Sequence, residues 1–404
     1  MSDAGGPRFL PQIESLRGFA ALSVAFAHCG MVPHLYEQAS PNAINSAFAL
    51  LFIPFDYLIN ARAAVIVFFV VSGLVLALSL DKKPAHRSLS GFGGFLGRRM
   101  LRLYPAHVAA LLLFVPLAGL TIFQIPIHGP ARIEVPGPTL IHWAGRAVYG
   151  DFQSYQFVAT AALWSNWYNP PVWTLAIELL AALCLPFFAL WSRAGRLGPD
   201  LAIVIVLFGA GVWLDSAPRL PVLFIYLPAF YLGCMVRTHG RRLAAAAGER
   251  AGGPAILLAG SLLLLVGPEA ILGPSTAHQL VVMAMAVAAF GVVAAVAWTS
   301  GAILKAILLN PAARTLGRLS YSFYLWHALV MFALVRLELA IVPEAAFARW
   351  DHVLKALTFL ASTGIAVAIA ALSYRWIERP FIALGRRIGS PAAPLGALEA
   401  APSR

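Results

Sequence analysis

Arg17 and His28 stand eleven residues apart in the run IESLRGFAALSVAFAHCG, which is otherwise almost wholly apolar. On an α-helix eleven residues make three turns plus about 20°, so the two side chains share one face, roughly 16 Å apart along the axis. A guanidinium grips anions through several donors, and an imidazole titrates near neutrality, which suits it to general-base work. Glu14 lies one turn before Arg17, where a carboxylate can pair with it. Taken singly, such an arginine also reads as a snorkelling residue that sets topology, and such a histidine as an interfacial group bonded to a carbonyl. Their alignment on one face favours chemistry, because ionisable groups at membrane depth are expensive unless they have a task.

Four other segments carry reactive or charged groups. NPPVWTLAIELL opens an apolar run with Trp173 and Glu178, and places Glu178 about two turns in from Pro171, where it is expected either to share a cavity with His28 or to balance a buried arginine. GRRMLRLYP sets Arg99 and Arg102 at i,i+3 on one face, a spacing that can hold a phosphate or anchor an inner interface. LSYSFYLWHALVM puts Tyr324 and His327 one turn apart, as pocket residues or as part of an aromatic belt. SYRWIERPF ends on Glu378, three residues after Arg375, and reads as a structural lock between the two. Cys29, Cys184 and Cys234 fall in or beside apolar runs without ligand spacing, so neither a metal site nor a disulfide framework is expected.

The elements that hold these residues follow from composition. Of 404 residues, 60% are hydrophobic and only 11% charged, about half the charged fraction of a soluble domain. That excludes disorder and most water-soluble folds. The expectation is an all-α, polytopic integral membrane protein with about ten transmembrane helices, near 9–30, 62–80, 103–124, 172–192, 199–215, 220–237, 254–272, 277–299, 319–341 and 354–375. They form one membrane domain over residues 1–383, and the Ala/Pro/Gly-rich stretch 384–404 is expected to be a disordered tail. The N-terminus lacks the features of a cleaved signal, so the first run is expected to stay as a helix. Residues 31–61 and 125–171 are the largest segments on the side opposite the termini, and TLIHWAGRAVY within the second is expected to lie as an interfacial helix.

Ten spans put both termini on one side. That side holds 21 of the 29 Lys and Arg residues, the other side seven, and Arg17 lies within the first span. The bias predicts cytoplasmic termini. It also accounts for most of the net charge of +12 without nucleic acid, leaving the lipid bilayer as the partner of the basic face. Nothing in the sequence indicates a homo-oligomer.

Taken together, six strings resemble the membrane acyltransferase 3 family, in that family's order and along almost the whole chain. They are I-E-x-L-R-G-x-A-A-L-x-V-x-x-x-H (Ile13 to His28), F-F-V-x-S-G (Phe68 to Gly73) and R-R-x-x-R-L-Y-P (Arg98 to Pro105), followed by W-x-L-x-x-E (Trp173 to Glu178), Y-S-x-Y-L-W-H (Tyr321 to His327) and S-Y-R-W-I-E-x-P-F (Ser373 to Phe381). The resemblance implies an enzyme of a bacterial inner membrane. Its reaction would be transfer of an acyl group, most often acetyl, from cytoplasmic acyl-CoA as co-substrate to a hydroxyl of a carbohydrate or glycan, with no permanently bound cofactor. It further implies that Arg17 and His28 form the essential constellation, that Arg99 and Arg102 handle the donor, and that Glu178 is the carboxylate of the fourth span. Glu14, Ser72, Trp173, Tyr324 and His327 would then line the substrate pocket. The chain departs from the family where Glu178 is followed by Leu179, Leu180, Ala181 and Ala182 instead of a second carboxylate and aromatics, and where Ile66 replaces a commonly polar residue.

On this reading Arg17, Arg99 and Arg102 hold the anionic donor while its thioester arm reaches His28. His28 takes the proton of the acceptor hydroxyl, with Glu178 orienting or balancing the imidazole; an acyl-histidine intermediate is the competing route. A secondary transporter or flippase using the same Arg, His and Glu as a binding and proton-relay site is the alternative from another class. It would favour paired broken helices in two related halves, and the sequence has no such internal symmetry.

Overall fold

The computed structural model describes residues 10–30, 59–82, 85, 88–120, 153–215, 224–272, 278–299 and 301–388, with a few positions between 43 and 50. The expected interfacial helix in TLIHWAGRAVY lies outside the described residues. Among the described residues each of the ten predicted spans falls on a helix, and the fold is all-α.

In chain order the helices are α1 (Pro11–Gly30), α2 (Ala61–Lys82), α3 (Leu89–Leu120), the short α4 (Ser154–Ala161), α5 (Trp173–Trp191) and α6 (Leu197–Asp215). They continue with α7 (Leu227–Met235), α8 (Arg241–Gly248), α9 (Gly253–Leu272), α10 (His278–Trp298), the short α11 (Ala302–Leu309), α12 (Pro311–Ile341), α13 (Glu344–Ser373) and α14 (Arg379–Arg387). Among the described residues six helical stretches are long and apolar enough to cross a membrane, those over 61–82, 170–194, 197–214, 278–298, 311–338 and 352–387. α1 and α3 fall outside that set with Glu14, Arg17 and the basic cluster in their sequences, and α7 is only 9 residues long. A polytopic membrane protein results, in which the least apolar spans carry the candidate chemistry.

Two boundaries differ from expectation. α3 starts at Leu89, not near 103, because the glycine-rich stretch 91–97 stays helical, so Arg99 and Arg102 lie well inside a helix and not at its entrance. At the other end the helix runs on through Arg387, which moves the start of the expected tail past residue 384; residues 389–404 lie outside the described residues.

α2 is largely buried from Ala63 to Leu80, with Val75 and Ser79 exposed, as suits a helix that is apolar nearly all round. It packs on α7, α1, α10 and α5 and forms the centre of the bundle. The α2–α7 seam is a direct backbone contact: a Cβ added at Gly73 would strike the carbonyl of Phe230, and one at Gly233 the carbonyl of Val70. Close approach of this kind needs small residues at the crossing. α1 and α12 make the second such seam. A Cβ on Gly18 would come within 2.6 Å of the backbone nitrogen of Gly317, and one on Gly317 within 2.5 Å of the carbonyl oxygen of Glu14. Asn310 caps the start of α12 by accepting from the Ala313 amide at 2.9 Å, with Pro311 at the first helical position.

The α1–α12 seam fixes the site. The two glycines meet, and ten residues further along each helix stand His28 and His327, which also meet. Equal steps in the same direction mean that the helices run parallel and in register, so the histidines lie about 15 Å beyond the glycine crossing.

Candidate active site

The His28 Nδ1 atom lies 3.0 Å from His327 Nε2. The ring centroids are 5.1 Å apart with 14° between planes, so the rings meet edge to edge in nearly one plane, the geometry of a ring-to-ring hydrogen bond. His327 is buried, and its Nδ1 donates to the Tyr324 carbonyl at 2.8 Å. His28 is half-buried, and its Nε2 has no partner among the described residues. Spacing alone reads His327 as a pocket residue or as part of an aromatic belt; its partnership with His28 depends on the α1–α12 register, which no single-helix pattern contains.

Toward the start of α1 and α12 lies a narrow cavity. Arg17, Glu178, Ser320 and Tyr321 give it a polar part, and Phe68, Phe69, Val172 and Tyr324 are among its other walls. Tyr324 links the cavity to the histidines, since its ring centroid is 5.5 Å from that of His327. The Tyr324 hydroxyl donates to the Pro171 carbonyl at 3.2 Å and meets Thr174 Oγ1 at 3.1 Å, which fixes this wall to the start of α5.

Glu178 is held by a salt bridge from Arg99 of α3, both groups being largely buried. Of the two readings of Glu178, this is the one that balances a buried arginine, not the partnership with His28. The cavity holds Glu178 with Arg17, whereas the bond recorded for His28 goes to His327. The fourth-span carboxylate therefore balances a buried arginine. Arg17 makes no hydrogen bond or ion pair among the described residues, and within its electrostatic range are Glu178, Glu378, Arg99 and Arg102. Arg102 is half-buried beside it. A guanidinium lining a cavity without a direct partner has donors to offer an anion.

Glu378 also departs from expectation. Residues Tyr374–Glu378 form a π-turn between α13 and α14. The wider turn brings Glu378 inside, where it is 4% exposed and accepts from Ser322 Oγ at 2.9 Å, while Arg375 stays exposed. The expected Arg375–Glu378 lock is thus absent, and Glu378 faces the field of Arg17 and Arg102. Sequence spacing missed it because it assumes 3.6 residues per turn; π-turns often mark functional sites.

Of the other candidates, Glu14 lies within electrostatic range of Arg17, Arg102, Arg314 and Arg318 but forms no ion pair among the described residues. Ser72 and Trp173 are not in the cavity wall. Trp173 turns toward the centre of the bundle, with its ring centroid 5.5 Å from that of Tyr226. In their place stand Val65, Phe68 and Phe69 of α2 and Val172, Thr174 and Leu175 at the start of α5. Among the described residues no cluster of His, Cys, Asp and Glu could hold a metal ion.

The six motifs thus come together around one cavity and the histidine pair beside it. The acyltransferase domain of the acyltransferase 3 family matches residues 10–375. The chain belongs to the acyltransferase 3 family. Similar curated proteins are acyltransferase MdmB of Streptomyces mycarofaciens, 25% identical over 97% of each chain, and nodulation protein 10 of Rhizobium leguminosarum bv. viciae, 26% identical over 92% of this chain and 93% of its own. No solved structure matches the chain. The arginine cavity and the histidine pair both lie within the residues that the acyltransferase 3 domain matches.

Proposed function

We propose that the protein is an acyl-CoA-dependent O-acyltransferase of a bacterial inner membrane, with both termini in the cytoplasm, that moves an acyl group, acetyl by preference, to a hydroxyl of a carbohydrate or glycan. One observation carries this reading: an arginine without a direct partner among the described residues lines a cavity at one end, and an imidazole whose Nε2 has no partner among them stands roughly 16 Å further along the same helix face. Phosphates of the donor dock on Arg17 and Arg102 from the basic side, and the pantetheine arm extends past Phe68 and Tyr324. His28 Nε2 takes the hydrogen of the acceptor hydroxyl as the oxygen forms its bond to the acyl carbon. The C–S bond breaks with its electron pair on sulfur, and the proton on Nε2 passes to the thiolate to give free CoA. Arg99, engaged by Glu178, stiffens the wall of the donor site.

The test uses protein purified into nanodiscs, supplied with acetyl-CoA labelled in its acetyl group and with the glycan and glycolipid fraction of the producing cells. The expected result is label in an alkali-labile ester of the glycan, matched by free thiol. In sealed proteoliposomes, movement of a glycan across the bilayer without thioester consumption would replace this reading with transport.

A further inference from the structure

Both nitrogens of His327 are engaged, and the chemistry of its partners decides where every hydrogen of the pair lies. The Tyr324 carbonyl oxygen only accepts, so His327 Nδ1 carries a hydrogen. No carboxylate contacts either ring among the described residues, and a buried imidazolium without a counter-charge is costly, so both rings rest neutral. Neutral His327 therefore presents a lone pair at Nε2. The bond at 3.0 Å is donated by His28 Nδ1–H, and His28 Nε2 is left with its lone pair. In water a neutral imidazole side chain prefers its hydrogen on Nε2, the opposite arrangement. Here a backbone carbonyl of α12, acting through His327, selects the tautomer of a ring on α1.

We propose that His327 is a positioning residue: it holds His28 in the Nδ1–H tautomer and steadies the imidazolium formed when Nε2 takes a proton. This rests on the reading of His28 as the base. His327 fills the place that an aspartate fills in a Ser-His-Asp triad, without becoming protonated itself. The hydroxyl proton goes to His28 Nε2 and on to the leaving thiolate, while Nδ1–H stays bonded to His327 throughout. A neutral acceptor suits the depth of the site, because a carboxylate there would need its own counter-charge. The arrangement depends on the parallel register of α1 and α12, which brings the two rings to one level.

The experiment reads the tautomer and the rate separately, in nanodisc-embedded protein labelled with ¹⁵N-histidine. His28 resonances are assigned by their loss in His28→Gln. The native spectrum is expected to show His28 protonated at Nδ1 and bare at Nε2. In His327→Leu the hydrogen should move chiefly to Nε2, with kcat falling about 100- to 1,000-fold and KM for acetyl-CoA within about twofold. In His327→Gln the amide oxygen reaches the former Nε2 position; the Nδ1–H form should persist and at least tenfold of the lost rate return. Native His28 protonated at Nε2 would overturn the proposal, as would a rate loss in His327→Leu with the tautomer unchanged. A Gln variant with the native tautomer and the rate of the Leu variant would overturn it too. Native protein that consumes no thioester would overturn the enzyme reading instead, whatever the tautomer.

Discussion

Two seams in this bundle use the same packing device to different ends. At Gly73 and Gly233 the backbones of α2 and α7 touch, and the groups around them are apolar: Phe69 stacks on Phe230 at 4.8 Å and meets Tyr226 at 5.5 Å. At Gly18 and Gly317 the backbones of α1 and α12 touch, and the groups beside and beyond them are Arg17, Ser320, Tyr321 and the histidine pair. Each seam also has an arginine nearby. Arg237, past the α2–α7 crossing, has both terminal guanidinium nitrogens engaged, by Asp81, the carbonyls of Ala77 and Ala189, and Ser192 at 3.2 Å. Arg17 has no direct partner among the described residues and lines a cavity. A buried arginine whose donors are spent on the protein ties helices together; one whose donors are left over is available to a ligand.

That contrast can be broken by substitution. The largest stability effect is expected from Glu178→Gln, which leaves Arg99 buried without its counter-charge and should cost about 3–5 kcal/mol, read as a lowered unfolding midpoint in detergent. The double change Arg99→Met with Glu178→Leu should regain most of that stability and none of the lost transfer rate. Next come the seams themselves. Gly317→Ala and Gly233→Ala each force a methyl group into backbone and should cost a similar amount, about 1–3 kcal/mol. Measured per folded molecule, only Gly317→Ala should depress acyl transfer, because only that seam sets the register of the histidines. Equal loss of rate in both would end the comparison.

Arg17→Gln should leave the fold intact and raise KM for the acyl donor about 10- to 100-fold, the loss of one or two charge-assisted hydrogen bonds, with kcat changed less. An Arg17→Gln protein with unchanged KM would remove Arg17 from the donor site. The smallest effect is expected at Gly209 of α6, where an added Cβ meets nothing within 4 Å; Gly209→Ala should raise stability by about 0.5–1 kcal/mol and leave the rate unchanged.

Much of the bundle is legible in the sequence, because apolar runs of membrane length have few alternatives and the strongly apolar α2 and α10 stand out at once. The shared face of Arg17 and His28 is legible for the same reason, as it is a property of one helix. What lies between helices is not. Pairing of His28 with His327 depends on two glycines 299 positions apart meeting in register, and nothing in either helix alone states the offset. Glu178 has a basic partner on α3 because α3 continues as helix back through a glycine-rich stretch that reads locally as a loop. Glu378 turns inward because five residues adopt a wider turn, a change of period that spacing arguments cannot carry.

The central claim is that transfer takes place at His28, at the far end of a face that begins with Arg17. The most direct measurement is the rate of free-thiol release from acetyl-CoA by nanodisc-embedded His28→Ala, in the presence of acceptor and at matched folded protein. The account predicts a fall of about a thousandfold or more, with the thermal midpoint and the KM for acetyl-CoA close to native. A His28→Ala protein that releases thiol at the native rate would contradict it.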